Sequence, residues 1–135
     1  MPARFARFVT AAALAVASGP ALGCSSKSTA PSSSGYVVIY DLSTSGMVTV
    51  DSLEYDDGHH HMTSVLAPTN GWTVSFPVAR GGTIEAEAWA HANGTGSVML
   101  KMTWIASVTS VFADSTTVNA TVPGPFTVSI GPRTL

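Results

Sequence analysis

From residue 72 onward the chain alternates between apolar and polar positions. Trp72, Val74, Phe76 and Val78 stand at every second place, with Thr73, Ser75 and Pro77 between them. A period of two puts one set on each face of a strand, so this run predicts a half-buried β-strand. Pro77 falls in the outward set, where its missing N–H suits an edge or a strand end. The next run, TIEAEAWAH, places Ile84, Ala86, Ala88 and Ala90 inward and Glu85, Glu87 and Trp89 outward. Its small inward residues leave room for bulky side chains from a facing layer. Beyond Asn93-Gly94-Thr95-Gly96, Val98, Leu100, Met102 and Trp104 alternate with Met99, Lys101 and Thr103. Asn-Gly between two alternating runs predicts a hairpin, because both residues tolerate positive φ.

The same rhythm runs through the rest of the domain. YVVIYDL and MVTVDSLEY precede an Asp56-Asp57-Gly58 turn, and HHMTSVLAP returns from it. SVTSVFAD and TTVNATV lead to a Pro123-Gly124-Pro125 turn, and PFTVSIG follows. No segment has the i, i+3, i+4 apolar spacing of an amphipathic helix. About eight or nine short strands joined by short turns predict an all-β fold, an antiparallel two-sheet β-sandwich of immunoglobulin-like size. Two layers are expected because the inward faces are too apolar to be left wet. The chain has one cysteine, so the immunoglobulin disulfide is excluded.

The N-terminus follows a different pattern. Arg4 and Arg7 precede the uncharged apolar stretch FVTAAALAVAS, then Gly19-Pro20 and ALGC. A basic start, a short apolar run and a small-residue cleavage site form the layout of an export signal. The run is shorter than the roughly 20 residues of a membrane-spanning helix. Residues 1–23 are therefore expected to be a signal peptide outside the fold. Cys24 stands directly after the expected cleavage point, and ALGC resembles the lipobox of bacterial lipoproteins, where the cysteine receives lipid. The resemblance implies acylation of Cys24 and anchorage in a membrane. Residues 24–35, SSKSTAPSSSG after the cysteine, read as a flexible Ser-rich tether. By the same resemblance, Ser25 in place of an inner-membrane retention aspartate points to the outer membrane where the source has two. Residues 36–135 are the size of one domain.

Composition narrows the partners. The chain carries 6 Lys and Arg against 8 Asp and Glu, for a net charge of −2. Arg80, Lys101 and Arg133 are the only basic residues in the domain, too few for the basic footprint that nucleic acid requires. The candidate chemistry is LEYDDGHHHM, where His59, His60 and His61 follow an acidic turn. On a strand, His59 and His61 would share one face and His60 the other. A metal site needs more ligands, for which His91, Asp56 and Asp57 are the candidates. Nothing in the spacing brings His91 beside that turn, so the run is expected to be a solvated hairpin end. No metal or cofactor is expected. Glu85 and Glu87 share a polar face and are expected to be solvated, not a catalytic pair. Trp89, Met99 and Ile105 fall outward and are candidates for an apolar patch.

Tyr55, Gly58, Pro68, Trp72, Ala88 and the GSV of residues 96–98 stand in an order that resembles the extracytoplasmic domain of the MmpS family of small mycobacterial membrane proteins. Cys24 replaces that family's transmembrane helix, and Thr69-Asn70-Gly71 separates its usually adjacent Pro and Trp. The resemblance implies an accessory partner of an export system, without catalytic residues. The sequence thus predicts a non-enzymatic envelope lipoprotein, membrane-bound through Cys24, that binds another envelope protein or transporter. The alternative is a small-ligand or transition-metal-binding lipoprotein using the hairpin at His59 and His61.

Overall fold

All regular structure in residues 35–135, the part of the chain that the computed structural model describes, is β-strand. The expected signal peptide, Cys24 and the tether up to residue 34 lie outside the described residues. The strands are β1 (Gly35–Asp56), β2 (Met62–Leu66), β3 (Thr73–Ala79), β4 (Thr83–Ser107), β5 (Ser110–Ala120) and β6 (Gly124–Thr134). All pairings are antiparallel, and the six strands belong to one hydrogen-bonded sheet. The all-β reading stands.

The strand count differs from the expected eight or nine because neighbouring runs join. YVVIYDL and MVTVDSLEY are both parts of the 22-residue β1, and TIEAEAWAH and GSVMLKMTWI are both parts of the 25-residue β4. The later part of SVTSVFAD and most of TTVNATV likewise merge into β5, while Ser107 ends β4 and Val108-Thr109 form the turn between the two strands.

β1 and β4 pair along nearly their whole lengths, from Val37 opposite Ile105 to Tyr55 opposite Ala86. Shorter strands flank different halves of this ribbon. β3 pairs with the start of β1 and β2 with its end, while β6 pairs with the start of β4 and β5 with its end. The ribbon does not run straight. A straight strand would separate Tyr40 from Tyr55 by about 50 Å, at ~3.3 Å per residue. Their ring centroids are instead 5.6 Å apart. The sheet therefore folds over on itself, and the inner faces of its two halves meet.

The fold-over sits where the sequence predicted a hairpin. Gly46 pairs with Gly96, and the register then jumps to Val48 opposite Ala92, leaving Met47 against residues 93–95. Gly46 has a φ of +71°, and a Cβ there would collide with the Thr95 carbonyl oxygen and lie 2.7 Å from Gly96 Cα. Only a residue without a side chain admits this approach. Residues 93–96 stay within β4, so the Asn93-Gly94 hairpin does not form. The packing supplies the reason. A hairpin would set Ala86, Ala88 and Ala90 beside Val98, Leu100 and Met102 in one layer. The folded ribbon sets these alanines across the core from large side chains. The Tyr40 hydroxyl reaches the Glu85 carbonyl, next to Ala86, at 3.1 Å.

The core is one cluster drawn from both halves. Val38, Tyr40 and Leu42 of β1 join Leu53 and Tyr55 of the same strand, with Ile84, Ala86, Ala88 and Ala90 and with Val98, Leu100 and Met102 of β4. These β4 positions are the ones that alternation marks as inward. In β3 only Val78 is fully buried, and Val74 and Phe76 pack against the cluster more loosely, as do Trp72 just before it and Trp104.

Candidate functional site

The three histidines do not lie on a strand. β1 ends at Asp56 and β2 begins at Met62, so Asp57, Gly58 and His59, His60 and His61 form the loop between them. Two carboxylates build that loop. Gly58 N–H donates to Asp56 Oδ1 at 2.7 Å, and His59 N–H donates to Asp57 Oδ1 at 2.9 Å. Such short side-chain-to-backbone bonds are why aspartate favours turns. Gly58 and His60 both take positive φ, and Asp57 N–H donates to the His61 carbonyl at 3.2 Å. The two-face assignment from strand alternation is therefore replaced by a loop geometry.

The imidazoles of the run are exposed. His61 Nδ1 stands 3.8 Å from Asp57 Oδ2, an exposed pair that contributes little. His91 is not within reach of them. It pairs across from Thr49 and Pro125, and Thr49 lies about 23 Å from Asp56 along the strand at ~3.3 Å per residue. The His91 ring instead meets Asp51, with Nδ1 2.9 Å from Oδ1. Asp51 is the extra residue at the register shift between Val50 and Ser52, and the bulge turns its carboxylate towards the neighbouring strand. Among the described residues no group of three or more His, Cys, Asp or Glu side chains is arranged to hold a metal ion. Asp56 serves the turn, and at 5 % exposure it is buried beneath it.

Tyr40 lies directly under the same end. Its hydroxyl stands 3.1 Å from the Glu85 carbonyl and 3.3 Å from that of Asp56, and its single hydrogen serves both acceptors. Burial pushes its ionisation well above the ordinary tyrosine range, and the Asp56 carboxylate adds to the shift. Tyr40 is thus held as a neutral donor. Tyr55 and Phe76 pack against its ring at 5.6 Å each, and Trp72 covers Tyr55 at 5.7 Å. This hub ties the end of β1 to the start of β4, which makes it a clamp.

Glu85 and Glu87 are half-buried on the outer face of β4. Glu87 pairs directly opposite Glu54, whose carboxylate accepts a hydrogen bond from Ser64 Oγ at 3.0 Å. The hollow that Glu85 and Glu87 help to line, with Ser129 and Ile130, holds about 100 Å³. Small-molecule sites usually run from about 300 Å³ upward. An open hollow of about 390 Å³ lies at the β5–β6 turn, between Val118 and Phe126, with no ionisable side chain in its lining.

Trp89, Met99 and Ile105 do not form one patch. Each is half-buried, and Trp89 stands between Ser52 and Thr127 on the half of the sheet that carries β6. Met99 stands between Ser43 and Thr117 on the other half. Of the three, only Ile105 joins an apolar row, which runs Pro77, Val37, Ile105, Val111 across β3, β1, β4 and β5. Val111 of that row is itself exposed, with Val108 and Phe112 close to it, while Met47, Met62, Leu66 and Val122 are exposed elsewhere on the sheet. Val108 is 97 % exposed, Val111 57 % and Phe112 49 %. Their signal in the sequence is the adjacent pair Val111-Phe112, which presents apolar side chains to both faces of a strand. No family model, no curated protein and no solved structure matches this chain.

Proposed function

We propose that this protein is an exported lipoprotein of the cell envelope, a non-catalytic binding or accessory module held to a membrane through Cys24. In this reading residues 1–23 are removed, Cys24 carries the lipid, and the stretch from residue 25 up to the start of β1 at Gly35 is the tether. The folded sheet acts as a two-layer sandwich of immunoglobulin-like size that engages another envelope component, such as the export system implied by the resemblance to MmpS. One observation carries the proposal. The chain's only cysteine follows a basic, then apolar, then small-residue leader and stands shortly before an all-β domain. An exposed free thiol in an exported chain is a liability, whereas an acylated one is an anchor.

The test is mass spectrometry of the protein taken from the membranes of its source. The expected N-terminal peptide begins at Cys24 and carries the added mass of diacylglycerol and an acyl chain. Cys24→Ser is expected to move the protein from the membrane fraction to the soluble fraction. An unmodified sulfur at position 24 overturns the reading.

A further inference from the structure

We propose that the domain docks on the lipid surface through the turn between β4 and β5, at the end of the molecule where the chain arrives at Gly35. The orientation rests on Cys24 as the anchor, as read above. The contact itself rests on the structure. Val37 pairs with Ile105, and Ile105 pairs with Val111. Two residues beyond this row lie Gly35 on β1 and the turn after Ser107 on β4, so the turn and the point of arrival are level. Adjacent strands are only about 4.8 Å apart, which makes the two near neighbours.

Val108 stands at the tip of that turn, nearly fully exposed, and just beyond it Val111 and Phe112, each about half exposed, lie on opposite faces of β5. The turn's two hydroxyls point at one another: Ser107 Oγ lies 3.2 Å from Thr109 Oγ1, and Thr109 N–H donates to Ser107 Oγ at 3.4 Å. Phe112 is held in place by stacking on Trp104, with ring centroids 5.8 Å apart and planes 15° apart. Arg133 lies 4.8 Å over the Trp104 ring, and its charge is matched by Asp114 at 2.8 Å. A fixed aromatic beside an apolar tip whose hydroxyls are paired suits the boundary between head groups and acyl chains. The local ion pair makes the contact independent of anionic lipid.

The length of chain before Gly35 selects this end. Residues 24 to 35 span at most about 40 Å even when fully extended. The opposite end, at Gly46, lies about 36 Å up β1 at ~3.3 Å per residue. The apolar residues exposed there, Met47 and Val122, reach the surface only with the leash drawn nearly taut along the domain. The turn at Val108 reaches it with the leash slack, which leaves far more chain conformations. Anchoring also raises the effective concentration of the turn at the surface to about the millimolar range, where a weak contact is occupied.

The full chain, coupled through the Cys24 thiol to a maleimide-bearing phospholipid in phosphatidylcholine vesicles, tests this whether or not cells acylate Cys24. Amide hydrogen exchange is compared with that of the same chain coupled to soluble maleimide-polyethylene glycol. The expected result is slower uptake over residues 106–112 on vesicles, unchanged uptake over residues 120–126, and loss of the difference in Val108→Asp. Equal uptake over residues 106–112 in both conjugates overturns the proposal, as does slowing over residues 120–126 instead. Slowing already present in the soluble conjugate and growing with protein concentration identifies a second copy as the occupant, which also overturns it. Failure of acylation at Cys24 shows separately, in the mass of the native protein.

Discussion

At one end of the molecule the chain reverses through Asp56, Asp57 and Gly58; at the other, around Gly46 and Gly96, two paired strands bend together without reversing. Both places combine glycine with small polar residues, yet they are built on opposite principles. The reversal is made by what its residues add. Two carboxylates accept backbone N–H groups, and Gly58 takes a left-handed conformation. The bend is made by what its residues lack. Gly46 and Gly96 let two backbones approach more closely than any Cβ allows. A reversal can therefore be specified within five or six consecutive residues. A bend needs a coincidence between positions fifty residues apart, and that coincidence exists only once the strands are paired.

The sharpest way to break the difference is to add one carbon at each place. Gly46→Ala sets a methyl group against the Thr95 carbonyl and the Gly96 backbone at a φ of +71°. Neither neighbour can yield without parting the ribbon, so the expected loss is about 3 kcal/mol or more in denaturant unfolding. Gly58→Ala at a φ of +83° meets the methyl groups of Val78 at 2.6 and 2.7 Å, a side chain and not a backbone. Its expected loss is smaller, about 1–3 kcal/mol. A larger loss at Gly58 than at Gly46 would show that the reversal, and not the bend, is the more constrained region.

Tyr40 joins the reversal to the far strand, so Tyr40→Phe tests the clamp without disturbing either glycine. Removing the hydroxyl leaves the Asp56 and Glu85 carbonyls without it, at a cost of about 1 kcal/mol near neutral pH. Alkaline pH sharpens the measurement. Below the ordinary tyrosine value of 10.0 the residue is neutral in both folded and unfolded chains, and its contribution is constant. Above that value the unfolded chain loses the proton while the folded chain keeps it. Stability therefore falls as pH rises, by about 1.4 kcal/mol per pH unit for one such proton. The variant lacks this loss, so the gap between wild type and Tyr40→Phe should shrink above pH 10. Tyr36 and Tyr55 are present in both proteins and cancel. A gap that stays constant would mean the hydroxyl is accessible to water.

What could be read in the sequence follows the same division between local and paired information. The inward set of β4, from Ile84 through Met102, was legible because alternation is a property of consecutive residues. So was the turn at Asp57-Gly58, whose residues make their own hydrogen bonds. The joining of short runs into β1 and β4 was not legible, because what keeps residues 93–96 in a strand is the opposing stretch of β1. The separation of His91 from His59, His60 and His61 depends on register in the same way, through the pairing of His91 with Thr49, and the bulge at Asp51 supplies the carboxylate that His91 meets instead. The exposed turn at Val108 was hidden for a different reason. Alternation reports faces of strands, whereas Val108 sits between strands where it has no face to occupy.

The smallest expected effect is the most direct probe of the comparison. Asn93-Gly94 is a strong hairpin signal, and in a tight hairpin its first residue would need positive φ, which a β-branched side chain resists. In the folded protein neither Asn93 nor Gly94 takes positive φ, and Asn93 is exposed within β4. Threonine suits such a position at least as well as asparagine. Asn93→Thr is therefore expected to change stability by no more than about 0.5 kcal/mol, with a slight gain favoured. A hairpin at this site would instead lose its turn residue and unfold at clearly lower denaturant. An unchanged midpoint, alongside the large loss in Gly46→Ala, would locate the constraint on the bend in the absent side chain of Gly46 and not in the turn chemistry of the residues opposite it.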